Sequence, residues 1–189
     1  MNNKELIDIL NGVKNAKRVY RDRAAKAILE NTDLIPNLID KIYDIKDPIH
    51  IKAAWVFELV CVENIKLLNP YIHPFIRGMS SLKNESALRP VSKVCSLWSS
   101  YYFSKNTSKK LITKIEIEQI ISCNFDWLIE DHKVATQVFA MDTLHLWGNR
   151  EKWVHQELKS LLEKNTDTGT SGYRAHARKL LKNLYKNDA

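Results

Sequence analysis

The sequence predicts an all-α fold, an α-α superhelix built from about five stacked helical hairpins. Apolar residues recur at three- and four-residue steps along almost the whole chain, which is the signature of amphipathic helices. Only 5 glycines and 5 prolines interrupt the 189 residues, which favours long helices joined by short turns. No segment sustains the two-residue alternation of a half-buried strand.

Composition indicates one globular domain that spans residues 1–189. Hydrophobic residues make up 44% and charged residues 27% of the chain, the balance of an ordinary folded domain. Its three cysteines, which lack C-x-x-C spacing, predict neither a disulfide framework nor a metal site. The start of the chain lacks the pattern of a signal peptide, and Glu58 interrupts the longest apolar stretch, 53–62. We therefore expect a cytoplasmic protein that does not contact a membrane.

The helical periodicity can be followed along the chain. A first helix is predicted over 14–30, and a second carries Leu34 and Leu38 with Asp33 as its N-cap. The third, 48–62, has Asp47 as its cap and is apolar almost all round, so it should lie between neighbouring helices. Further helices are predicted at about 70–82, 86–103, 113–129, 131–147, 151–164 and 171–186. A polar loop is predicted over 104–112 and a turn over 166–169.

Four of these helices begin alike, with a polar cap followed by small and apolar positions. Equivalent residues are Ile51, Leu88, Val134 and Tyr173, at spacings of 37, 46 and 39 residues. Each of the four opens the second helix of a predicted hairpin. HEAT and armadillo repeats have periods of about 40–47 residues, so the chain resembles HEAT-like repeat proteins over nearly its whole length.

Two segments, 51–61 and 88–95, resemble more narrowly a small family of bacterial repeat proteins whose members often carry the name adenylosuccinate lyase. That name implies a mobile serine loop close to a methionine, a lysine and an asparagine. The segment 78–84 is similar to such a loop, but its methionine precedes the serines and no proline follows them. A motif that lacks its structural context is weak evidence, so the residues do not support lyase activity.

The formal net charge of +7 is confined to the two ends of the chain. Residues 1–30 carry seven basic against four acidic residues, and residues 171–189 carry five against one. Two basic stripes are predicted there, and they are the candidate nucleic-acid contacts: Arg174, Arg178 and Lys182 near the end, and Lys14, Arg18 and Arg21 near the start. Charged outer faces are also typical of terminal repeats, which need them for solubility.

The second helices of the hairpins are expected to form a concave face whose basic candidates are Lys52, Arg89, Lys93 and Lys133. Stacked repeats create extended binding surfaces of this kind. The sequence therefore predicts a non-enzymatic scaffold that binds a macromolecular partner, most simply a protein, on this face. No cofactor, metal site or catalytic residue is predicted, and no oligomeric state.

Two alternatives stay open beside the scaffold. One is a DNA-binding protein related to the HEAT-like glycosylases of alkylated purines, which line a basic groove with tryptophan, aspartate and arginine. The other is the lyase activity that the family name implies. Asp142 and His145 share a helix face and form a possible carboxylate–imidazole pair. The five tryptophans are expected to be packed in the core or between repeats: Trp55, Trp98, Trp127, Trp147 and Trp153.

Overall fold

A computed structural model describes residues 2–104, 112–165 and 169–188, and every regular element in these ranges is helical. This confirms the all-α prediction. The α-helices are α1 Asn2–Asn11, α2 Arg18–Glu30, α3 Ile35–Tyr43, α4 Ile49–Glu63, α5 Ile72–Gly78, α6 Glu85–Phe103, α7 Lys114–Ile129, α8 Val134–Trp147, α9 Lys152–Asn165 and α10 Ser171–Asp188. Short 3-10 helices lie at Thr32–Leu34, Ile65–Tyr71 and Met79–Ser81.

Helix α1 was not predicted, and the first predicted helix begins four residues later than expected. Leu6, Leu10 and Val13 are fully buried, and together they form the apolar side of α1 and the turn that follows it. The backbone N–H of Lys17 is bonded to the side chain of Asn15 at 3.0 Å, which forms a turn and delays α2 until Arg18. Lys14 therefore precedes the helix on which it was predicted to lie.

Three other helix starts also differ from prediction. Asp33 lies within a 3-10 turn and makes no side-chain cap, since α3 begins only at Ile35. The expected helix at 70–82 is shortened to Ile72–Gly78, with 3-10 helices on both sides. Helix α8 begins at Val134 and not at 131. Most of the predicted loop 104–112 and of the turn 166–169 lies outside the described residues.

The even-numbered helices pack in one row, because α2 contacts α4, α4 contacts α6, α6 contacts α8 and α8 contacts α10. The odd-numbered helices α1, α3, α5 and α7 contact one another in the same order. Helix α4 lies between α2, α3 and α6, and ten of its fifteen residues are buried. The prediction that α4 is enclosed by neighbouring helices is confirmed.

Aromatic side chains join the second half of the even row. Tyr102 of α6 stacks on Trp147 of α8, with 5.1 Å between ring centroids, and Trp98 lies 5.3 Å from Tyr102. The indole N–H of Trp147 donates to Ser99 Oγ at 3.0 Å. Trp98, Trp127 and Trp147 are buried as expected, whereas Trp153 is 52% exposed and stacks on Phe125 of α7.

None of the helices within the described ranges combines the length and the hydropathy of a membrane-spanning helix.

Candidate functional site

The exposed side of α4, α6 and α8 holds a buried carboxylate with two bases. Glu58 of α4 is only 4% exposed. Its Oε2 accepts from Arg89 Nη2 at 2.8 Å, and its Oε1 accepts from Lys93 Nζ at 2.9 Å. Arg89 and Lys93 are one turn apart on α6, so both reach the same carboxylate. A buried carboxylate requires such partners to offset its desolvation.

Similar pairs join the following even-numbered helices. Glu85 at the start of α6 pairs with His132 Nδ1, just before α8, and accepts from Thr136 Oγ1 of α8 at 3.3 Å. His176 Nε2 of α10 lies 2.7 Å from Asp142 Oδ1 of α8. At three successive junctions, a carboxylate of one helix therefore meets a base that lies on the next helix of the row or just before it. Asp142 bonds to His176 rather than to His145.

The bonds between α6 and α8 show that these helices run in the same direction. Glu85 lies beside Thr136, and further along both helices Ser99 lies beside Trp147. Leu97 of α6 is consequently level with Leu146 of α8. Arg89, Lys93 and Leu97 share one side of α6, and Val138, Asp142 and Leu146 share one side of α8, because residues four apart lie on the same side of a helix.

We use the name central face for a set of partly exposed residues on these three neighbouring helices, which are Trp55 of α4, Arg89, Lys93 and Leu97 of α6, and Val138, Phe139, Asp142 and Leu146 of α8. Four apolar members, Leu97, Val138, Phe139 and Leu146, are half-buried and lie outside the set of apolar side chains that pack against the core. Trp55 packs against the core and donates from its indole N–H to Ser86 O at 2.8 Å. The central face thus combines half-buried apolar side chains with a cluster in which one carboxylate offsets one of two positive charges.

The predicted concave-face bases do not all lie together. Arg89 and Lys93 converge on Glu58, whose role sequence reasoning missed. The available signal was a carboxylate between apolar residues in the middle of α4, since such a group needs a base nearby. Lys52 is half-buried on α4, and Lys133 is exposed immediately before α8; neither forms an ion pair within the described part of the chain.

The predicted nucleic-acid residues occupy opposite ends of the row. On α10, Arg178 and Lys182 are exposed and Arg174 is half-buried, and no ion pair involves them among the residues described. At the start of the chain, Arg18 forms a surface pair with Asp22 at 3.0 Å. Arg21 is half-buried, with its Nε enclosed and no hydrogen-bond partner for it in the described ranges.

The segment 78–84, which is similar to a lyase serine loop, is helical as far as Ser81. Ser81 ends the 3-10 helix Met79–Ser81, and its hydroxyl donates to Gly78 O at 2.7 Å. This hydroxyl is therefore bonded within its own turn. Within the described ranges, no group of three or more His, Cys, Asp or Glu side chains is arranged to hold a metal ion.

The three cysteines are buried thiols. Burial raises the pKa of Cys61 and Cys123 far above the ordinary value. Burial also raises the pKa of Cys95 to about 11, although hydrogen bonds from Asn124, Thr143 and Ser99 oppose this shift. Because the thiolate is the nucleophile, all three sulfurs are poorly reactive at neutral pH.

No family model matches the chain, and no similar curated protein or solved structure is found. The comparisons therefore assign neither a family nor a functional site.

Proposed function

We propose that the chain is a HEAT-like α-α superhelix of five hairpins, and a non-enzymatic scaffold that binds a protein partner on the central face. Each hairpin would pair an odd-numbered helix with the next even-numbered one, and the central face would lie on the concave side. The helix row and the three carboxylate–base junctions support this architecture, because repeats of this kind contact mainly their neighbours.

The observation that carries the function is the set of half-buried apolar side chains on α6 and α8 that the core does not use. Contiguous apolar surface that is rimmed by polar residues marks sites of protein interaction. Glu58 offsets one of the two positive charges of Arg89 and Lys93, so this pair offers less positive charge to a phosphate than two free bases would. Apolar and aromatic residues with a few arginines are instead typical of the centre of a protein interface.

Site-specific photo-crosslinking tests this proposal. A photoreactive phenylalanine analogue at position 97 should give discrete protein adducts in cells, whereas the same residue at position 115 should give none. Ile115 is a matched control because it is 75% exposed on α7, in the odd-numbered row.

A second substitution checks that the adducts depend on the central face. Val138→Asp should remove them, and Ile129→Asp, at an exposed position of α7, should not. Equal adduct formation at positions 97 and 115 would contradict the proposal.

Nucleic-acid binding through α10 is the second candidate, and one observation favours it. Arg178, Lys182 and Lys186 line a shallow apolar depression together with Leu181 and Tyr185. Bases interleaved with an aromatic ring are a common arrangement in nucleic-acid interfaces. We propose no lyase activity, since the fold supplies no separate support for it.

A further inference from the structure

A cleft of about 800 Å³ lies between the start of α9 and the end of α10, away from the central face. It is lined by Asn149, Lys152, His155, Gln156, Lys159 and Leu184. Among the described residues that line it, none is acidic, and two are lysines. Ligand sites in proteins commonly enclose about 300–1,000 Å³, so the cleft is large enough for a small molecule.

The histidine of this cleft is held in one orientation. Its Nε2 lies 2.7 Å from the carbonyl oxygen of His145 and donates to it, which fixes the orientation of the ring. The ring also stacks on that of His145, with 5.3 Å between centroids. The ring packs directly against Gly148, where a Cβ atom would lie only 1.8 Å from His155 Cδ2. Any residue other than glycine at position 148 would therefore collide with the ring.

One lysine of the cleft is also positioned by the fold. Lys159 Nζ lies 4.2 Å from the centroid of the Tyr185 ring, a favourable cation–π distance. The Tyr185 hydroxyl donates to Glu163, and Glu151 pairs with Arg150 at 3.7 Å. The bond to Glu163 helps to hold the Tyr185 ring in place, and neither carboxylate is among the described residues that line the cleft.

We propose that the cleft is a binding site for a phosphate-bearing ligand. Two ammonium groups on one wall favour an anionic ligand, because their fields add in a half-enclosed space. Lysine is a common partner of phosphate oxygens as a point charge, and the amides of Asn149 and Gln156 add neutral donors. Leu184 offers a contact for the apolar part of an organic phosphate. This site is separate from the proposed protein-binding surface.

Calorimetry with inorganic tripolyphosphate, at low and constant ionic strength, tests the site directly. We expect saturable binding to the wild type, and about tenfold weaker binding when Lys152→Gln removes one charged partner. Lys152→Gln/Lys159→Gln should weaken it further. The matched control, Lys4→Gln/Lys66→Gln, removes the same charge from exposed positions elsewhere and should bind as the wild type does.

Gly148→Ala provides an independent check, because it displaces His155 without changing any charge. It should weaken tripolyphosphate binding, while His155→Asn, which replaces the ring by a smaller side chain with a hydrogen-bond donor, should have a smaller effect. A melting curve for each variant shows that the helices are still folded. Lys152 is exposed, so its substitution tests the site even if Gly148→Ala unfolds the chain.

A short single-stranded oligonucleotide distinguishes the two sources of phosphate. Competition with tripolyphosphate that depends on Lys152 would support the site with a nucleic-acid strand as ligand. Tripolyphosphate binding without competition would support a small organic phosphate. The proposal would be overturned if no tripolyphosphate binding were measurable at about 1 mM. It would also be overturned if Lys152→Gln/Lys159→Gln and its control variant lost affinity for tripolyphosphate equally.

Discussion

At the scale of single residues, Glu58 shows which part of the site the sequence can predict. The position of this carboxylate in an apolar helix, and the bases Arg89 and Lys93 on another helix, are both visible in the sequence. Their convergence is not, because it joins residues 31 and 35 positions apart. Local periodicity fixes the side of a helix on which a residue lies, but the partner across a helix–helix contact depends on the register of packing.

Replacing Glu58 by Gln should destabilise the fold by about 1–3 kcal/mol, because two bases lose their common acceptor. The loss stays below that of a fully buried pair, since the side chains of Arg89 and Lys93 are 33% and 29% exposed and can still contact water. Urea unfolding measures the change in free energy. Glu63→Gln, at the exposed end of α4, is the control and should change it little. Equal stability of both variants would show that the cluster does not stabilise the helix row.

At the scale of elements, the long periodic helices were predicted within a few residues, and the short ones were not. Helix α1 has only a few apolar positions. The residues that follow it, from 14 onward, were predicted to belong to the next helix. Within the segment 65–81, Pro70 lies inside the 3-10 helix Ile65–Tyr71 and cannot donate an α-helical hydrogen bond, whereas Pro74 lies in the first turn of α5, where its missing N–H is tolerated. By contrast, α7 begins at a complete capping box, in which the side chains of Thr113 and Glu116 exchange bonds with the backbone.

This capping box also connects α7 to α5, because His73 Nδ1 lies 2.7 Å from Glu116 Oε1. Burial alone raises the pKa of Glu116, but hydrogen bonds from the Thr113 backbone, His73 and the Thr113 hydroxyl outweigh it. The pKa in the folded state is therefore lowered. A carboxyl of this kind stabilises the fold above its unfolded pKa, and the contribution is lost as the pH falls through the folded value.

Glu116→Gln should accordingly reduce the unfolding free energy by about 1 kcal/mol at neutral pH, and this difference should shrink below about pH 4. Unfolding curves of the wild type and the variant at several pH values test the dependence. Glu118→Gln, exposed two residues further along α7, is the control and should show no comparable change. If the difference in unfolding free energy between Glu116→Gln and the wild type stayed constant down to pH 3, the lowered pKa of Glu116 would be contradicted.

At the scale of the whole molecule, the sequence predicts the order of stacking better than the surface that results. The spacing of similar segments indicated that every second helix is equivalent, and those helices do contact one another in a row. The apolar part of the central face was not predicted, because Leu97 and Val138 fit a helical core pattern as well as a surface one. Whether such a residue is covered depends on the neighbouring helices and not on its own helix.

The distribution of charge over the whole molecule leads to the last prediction. The excess of bases lies at the two ends of the row, on α10 and around the start of α2, and the central face between them is nearly neutral. A protein with this charge distribution should bind duplex DNA weakly and without sequence preference, and the binding should be lost at about 150 mM salt. Each phosphate contact contributes about −0.9 to the slope of log K against log salt concentration, so a few bases cannot maintain affinity there.

A salt titration of plain and alkylated duplexes measures this slope for the wild type and for the triple variant Arg174→Ala/Arg178→Ala/Lys182→Ala. If the α10 bases only solubilise the end of the row, the two proteins should differ little. The control variant is Lys14→Ala/Lys17→Ala/Arg23→Ala, which removes three bases from the other end of the row. It shows how much of any change comes from the lower net charge alone. Tight binding at about 150 mM salt that is lost only in the α10 variant would instead establish nucleic acid as the partner. Release of an alkylated base would show catalysis, and would replace the scaffold proposal because a binding surface alone does not cleave a glycosidic bond.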